Sequence, residues 1–219
     1  MISIEASILS ADATRLGEQA REAVDAGCEA VQVDVMDGHF VPNLTFGPDV
    51  VRALRPHVSV VLDVHLMIYS PEGHIEAFTD AGADRLIVHQ EACVHPHRVM
   101  QAIRDLGAEA GVSINPGTSL DVLAELLDVT DCIQLMTVNP GFGGQAFIPS
   151  QLDKIRRLRH ILNKRRIDIP IAVDGGVDTT TAPQIVAAGA TVLVAGSSVY
   201  GKGATVGENV AALRASFKG

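Results

Sequence analysis

The chain has 219 residues, 47% of them hydrophobic, enough for one large α/β domain with a sizeable core. A formal charge of -9 argues against a nucleic-acid backbone or an anionic membrane as partner, and the absence of Trp argues against an aromatic stacking platform. No apolar run approaches the ~20 residues of a membrane span, no signal-peptide pattern opens the chain, and Cys28, Cys93 and Cys132 show no paired spacing, so a cytoplasmic protein in a reducing compartment is expected.

Apolar strand-like runs are predicted at residues 2–8, 30–34, 60–65, 85–89, 110–115, 132–137, 169–174 and 192–195. Most are nearly continuous rather than alternating, as expected of parallel strands covered on both faces. A loose repeat precedes several of them: Asp25-Ala26-Gly27-Cys28, Asp80-Ala81-Gly82-Ala83, Asp105-Leu106-Gly107-Ala108 and Ala187-Ala188-Gly189-Ala190. Each reads as a helix end, a left-handed glycine just beyond it, and a short loop into a strand. Amphipathic stretches at 15–26 and 71–81 fit the preceding helices, and a helical segment is expected after every strand, ending with 207–217. Eight such βα units predict a single (β/α)8 TIM barrel over residues 1–219. An open doubly wound sheet is disfavoured by the missing G-x-G-x-x-G turn after the first strand.

In a barrel, catalytic side chains come from the C-terminal ends of the strands. Those ends carry Ser7, Asp34, His65, His89, Asn115, Thr137, Asp174 and Gly196-Ser197. A lone strand-end Asp reads equally well as a helix cap. Asp34 and Asp174 together, joined by His65, read as a site for proton transfer on two faces of one carbon, with a divalent metal on the developing oxyanion. His89 has no evident partner and reads as a hydrogen-bonded lining residue. His39, His57, His74 and His160 read as loop or surface residues, and the Pro between His95 and His97 counts against a metal site there.

Glycine-rich loops follow the last three strands: Gly141-Phe142-Gly143-Gly144, Gly175-Gly176 and Gly196-Ser197. They suit a phosphate held by backbone N–H groups and the Ser197 hydroxyl, since no Lys or Arg accompanies them. Met36, Met67 and Met136 lie near strand ends, where they serve equally as packing or as a dry lining over a reacting carbon.

With these residues assembled, the chain resembles the ribulose-phosphate 3-epimerase family. The resemblance rests on Ser7-Ile8-Leu9-Ser10-Ala11-Asp12, residues 33–43 (VDVMDGHFVPN), Asp63-Val64-His65-Leu66-Met67, residues 136–145 (MTVNPGFGGQ), residues 173–177 (VDGGV) and Val194-Ala195-Gly196-Ser197, which span essentially the whole chain. It implies a TIM-barrel isomerase that interconverts D-ribulose 5-phosphate and D-xylulose 5-phosphate, with Asp34 and Asp174 as acid and base. It further implies that Ser7 and His65 touch the sugar, that the three glycine loops surround the phosphate, and that the protein forms homo-oligomers. A divalent metal (Zn, Fe, Mn or Co) is implied on Asp34, His65 and Asp174.

The family's fourth ligand, a His, is here Gln32. An amide oxygen in that place would weaken zinc relative to manganese or magnesium, or Gln32 would merely hydrogen-bond Asp34. A ketohexose 6-phosphate such as allulose 6-phosphate is the alternative substrate, and a non-catalytic sugar-phosphate-binding protein the alternative class.

Overall fold

The computed structural model describes residues 2–201 and 203–217, and among these eight parallel strands close into a barrel in chain order. They are β1 (Ser3–Ser7), β2 (Ala30–Met36), β3 (Val61–Met67), β4 (Arg85–His89), β5 (Glu109–Ile114), β6 (Cys132–Met136), β7 (Ile171–Asp174) and β8 (Val192–Ala195). Helices on the outside are α1 (Leu16–Asp25), α2 (Pro48–Leu54), α3 (Ile75–Asp80), α4 (Pro96–Asp105), α5 (Gln151–Arg165), α6 (Ala182–Ala188), α7 (Ser197–Tyr200) and α8 (Val206–Ser216). None of the described helices is long and apolar enough to cross a membrane. The repeated glycines behave as expected: Gly27, Gly82, Gly107 and Gly189 all have positive φ.

One connection departs from expectation. After β5 the chain forms two short 3-10 turns, Leu120–Leu123 and Leu127–Val129, instead of an α-helix. Leu120, Leu123 and Leu126 are all buried. Leu120 and Leu123 stand three apart within the first turn, the period at which a 3-10 turn aligns side chains on one face.

Alternation within the strands divides the core in two. The side chains of Val31, Val33, Leu62, Val64, Leu86, Val88, Val112, Ile133, Leu135 and Val173 point outward, where they join the large cluster packed beneath the helices. The intervening residues point into the barrel, and many are polar yet buried: Glu5, Ser7, Gln32, Asp34, Asp63, His65, Arg85, His89, Ser113 and Gln134. The strands are therefore less uniformly apolar than the sequence pattern suggested.

At the N-terminal floor of the barrel Arg85 anchors this interior. Its Nη1 donates to Glu5 Oε1 and Asp63 Oδ2, both at 3.0 Å, and its Nε donates to Glu109 Oε2 at 2.9 Å. Burial pushes the Asp63 carboxyl well above its ordinary value, the Arg85 charge opposing this and Glu5 adding to it.

Candidate active site

The register places Asp34, His65 and Asp174 at the opposite, C-terminal end. Asp34 on β2 lies beside His65 on β3, and Asp174 ends β7 beside Met136 of β6. Both aspartate backbones are held by threonines. Thr45 Oγ1 donates to the Asp34 carbonyl at 2.5 Å and Thr137 Oγ1 to the Asp174 carbonyl at 3.0 Å. Fixing the main chain in this way fixes where each carboxylate can reach.

Asp34, His65 and Asp174 each offer a ligand atom, and the three atoms lie within 4.8 Å of one another. Ser7 Oγ donates to Asp34 Oδ2 at 2.5 Å. Gln32 Nε2 bridges the carboxylates, donating to Asp34 Oδ1 at 2.8 Å and to Asp174 Oδ2 at 3.1 Å. A second amide, Gln134 on β6, donates to Asp174 Oδ2 at 3.1 Å. Sequence reasoning passed over Gln134, because its role depends on reaching the neighbouring strand from inside the barrel. Its inward parity on β6 was the available signal.

His65 Nδ1 is 3.0 Å from Asp34 Oδ1 and 3.4 Å from Asp174 Oδ2. Burial works against the charged ring, but the hydrogen bonds to Asp174 and Asp34 outweigh it and raise the pKa to about 9. Burial raises the Asp174 carboxyl, opposed by the His65 hydrogen bond and reinforced by the like charge of Asp34. His65 has no exposed surface and is not among the side chains that line the cavity.

His89 is placed differently from expectation. It does not line the cavity and it does have partners: its Nε2 is 2.9 Å from His65 Nε2 and its Nδ1 is 3.3 Å from Glu91 Oε2. Burial lowers its pKa to about 4, opposed by the Glu91 hydrogen bond. Burial also works to raise Glu91, but hydrogen bonds from His89, Thr118 and the Asn115 N–H bring it down to about 2.

The cavity over the carboxylates is lined by Ser7, Asp34 and Asp174, by all three methionines, and by the three glycine loops. Met36, Met67 and Met136 thus form its dry side. Among the described residues no Lys or Arg lines it. Two glycines there admit no substitute: a Cβ on Gly175 would lie 2.5 Å from Val138 Cγ2, and one on Gly176 would strike the Phe147 backbone. The loop at Gly141–Gly144 is strutted by Asn43 Nδ2 on the Gly141 carbonyl at 2.9 Å and by Gln145 Nε2 on the Phe142 carbonyl at 2.9 Å. Asp37 accepts from the His39, Phe40 and Tyr69 N–H groups, tying the β2 and β3 loops together.

A parallel barrel with paired carboxylates and a glycine-walled cavity at its mouth defines a TIM-barrel enzyme of proton-transfer chemistry. Residues 3–200 match the profile of the Ribulose-phosphate 3 epimerase family. The ribulose-phosphate 3-epimerase of Bacillus subtilis is 50% identical over 203 residues, 92% of this chain and 94% of that protein. The Synechocystis enzyme of the same name is 51% identical, covering 91% and 87%, and the Escherichia coli K12 one 46% identical, covering 90% and 88%. The chain belongs to the ribulose-phosphate 3-epimerase family.

More distant solved structures share the fold alone. KGPDC from Streptococcus mutans superposes with a TM-score of 0.73 at 15% identity, covering 100% of this chain and 98% of that one. Orotidine 5'-phosphate decarboxylase from Pyrococcus horikoshii gives 0.69 at 18% identity, covering 99% of each.

Proposed function

We propose that this chain interconverts D-ribulose 5-phosphate and D-xylulose 5-phosphate by moving a proton at C3, with Asp34 and Asp174 as the acid/base pair. The observation that carries the reading is the approach of two carboxylates from different arcs of one barrel to the same cavity. One carboxylate removes the proton from one face of the carbon, and the other returns it to the opposite face. Ser7 orients Asp34, the methionines keep water from the carbanion, and the backbone N–H groups of the glycine loops take the phosphate.

The donor set suits a divalent cation on Asp34, His65 and Asp174. Gln32 Oε1 and Gln134 Oε1 are both buried without a hydrogen-bond partner. Amide orientation is an assignment, and turning either amide over sets an oxygen against a carboxylate, which is favourable only with a cation between them. What a divalent cation supplies there is a Lewis acid for negative charge on the ketose oxygens. Oxygen donors in place of imidazole favour manganese or magnesium over zinc.

Incubation with ribulose 5-phosphate in D2O, with Mn2+, Co2+, Fe2+ or Zn2+ supplied, tests the activity. Deuterium should appear at C3 of both pentuloses, and its absence with every metal would overturn the reading. Faster turnover of allulose 6-phosphate would move the assignment to a hexulose substrate.

A further inference from the structure

Behind the carboxylates lies a hydrogen-bonded line that proton transfer at C3 does not itself use. It runs from His65 Nε2 to His89 Nε2 at 2.9 Å, and from His89 Nδ1 to Glu91 Oε2 at 3.3 Å. Both imidazoles are fully buried, while Glu91 at the outer end keeps about a quarter of its side chain exposed. The rings of His65 and His89 stack with centroids 5.0 Å apart, and the Phe40 ring lies 4.7 Å from that of His89, tilted by 53°.

This line has a polarity that the donors and acceptors impose. Glu91 Oε1 already accepts from the Asn115 N–H at 2.8 Å and from the Thr118 hydroxyl. An ionised carboxylate only accepts, so the facing His89 Nδ1 carries the hydrogen. With that hydrogen placed, the neutral ring presents a lone pair at Nε2. The 2.9 Å contact between the two Nε2 atoms needs one hydrogen, and it must then sit on His65. The remaining nitrogen of His65, Nδ1, faces Asp34 and Asp174.

We propose that Glu91 and His89 are positioning residues that hold the His65 hydrogen on Nε2, so that Nδ1 is the nitrogen turned to a cation held by the two aspartates. The inference rests on the metal-assisted reading above. Outer hydrogen-bond partners of this kind hold a ligating imidazole in orientation and raise its basicity. Glu91 reaches the line from the short turn after β4, while Asn115 and Thr118 reach it from the loop after β5. Two βα loops are thereby coupled to the ligand set.

The decisive variant is Glu91→Gln. The Asn115 N–H must still meet an oxygen, so the Gln oxygen stays on it and the amide N–H2 turns to His89 Nδ1. The polarity of the line is then reversed with no change of shape. In 15N-histidine-labelled, metal-free protein, long-range imidazole couplings should show His89 as the Nδ1–H tautomer, switching to Nε2–H in the variant. Calorimetric titration with Co2+ should show affinity falling about tenfold to a hundredfold in Glu91→Gln. Thr118→Val, which removes a donor without reversing the line, should stay within about threefold of the wild type.

A wild-type His89 in the Nε2–H form overturns the proposal. So does wild-type Co2+ affinity in Glu91→Gln, or an equal loss in Thr118→Val, which would mark a loosened loop instead of a polarity effect. The tautomer measurement needs neither substrate nor metal. A wild-type protein that exchanges no C3 deuterium while showing the predicted switch would sink the functional reading and leave the line intact.

Discussion

The barrel interior holds two buried polar clusters, one at its floor and one at its mouth, which solve a shared problem in opposite ways. At the floor Glu5, Asp63 and Glu109 surround Arg85, whose permanent charge is hydrogen-bonded to all three. At the mouth Asp34 and Asp174 face each other with no fixed cation between them; their partners are two amides, a hydroxyl and an imidazole. A guanidinium cannot leave or lose its proton, so the cation at the floor is permanent. Balance at the mouth is left to groups whose charge or orientation changes. On the proposed mechanism, closely similar chemistry serves stability at one end and reaction at the other.

The largest expected effect breaks the mouth. Asp34→Asn and Asp174→Asn should each lower kcat by on the order of a thousandfold, the size of a lost acid/base group. Neither should lower Tm, because each removes one of two crowded like charges. A variant with near-normal epimerisation would refute the two-carboxylate mechanism, and a large fall in Tm would show that the mouth serves stability as the floor does.

Breaking the floor should do the reverse. Arg85→Met leaves buried carboxylates without their cation, a change that costs about 3–5 kcal/mol when one partner of a buried pair is removed. For a chain of this size that is a fall in Tm of about 10 °C. C3 exchange per folded molecule should be unchanged, because Arg85 makes no contact with the mouth residues. Loss of activity in protein that remains folded would show that the two clusters are coupled.

The fold was largely readable because its signals are local: a glycine just past a helix end, an apolar run, a chemically active residue where the run stops. Asp34, Asp174 and the glycine loops were found for that reason. The floor was not: Arg85 opens its strand, where a charge reads as the edge of a loop, while Glu5 and Asp63 sit inside apolar runs with nothing local to pair them with it. Gln134 and Glu91 escaped for a different reason. Partners that fix them come from a neighbouring strand or its loop, Asp174 for Gln134 and Asn115 with Thr118 for Glu91, and side-chain reach inside a closed barrel leaves no periodic trace. The turns after β5 were read as a helix because three-residue and four-residue leucine spacings overlap over so short a stretch.

A smaller change sharpens the mouth. Gln32→His replaces the amide that now bridges the two carboxylates with an imidazole. Zinc affinity should rise about tenfold or more relative to manganese, measured by competition against a chelating dye. An unchanged zinc-to-manganese ratio would place residue 32 outside the ligand set and leave Gln32 as a tether for Asp34 and Asp174.

The smallest effect separates the clusters by pH. The Asp63 carboxyl has its pKa raised in the folded protein from an ordinary 3.8, chiefly by burial, so the folded state binds a proton that the unfolded chain has given up. Its contribution to stability is full below that ordinary value. It is lost progressively as pH rises toward the folded value. Asp63→Asn imitates the protonated acid, its oxygen still able to accept from Arg85 and its N–H2 able to donate toward Glu5. The variant should therefore gain Tm over the wild type by an amount that grows from pH 4 upward, while C3 exchange stays the same. A difference in Tm that is flat with pH would mean that Arg85 alone balances Asp63 as an anion. The floor would then hold its charges with no proton in reserve, and only the mouth would exchange protons within the protein's working range.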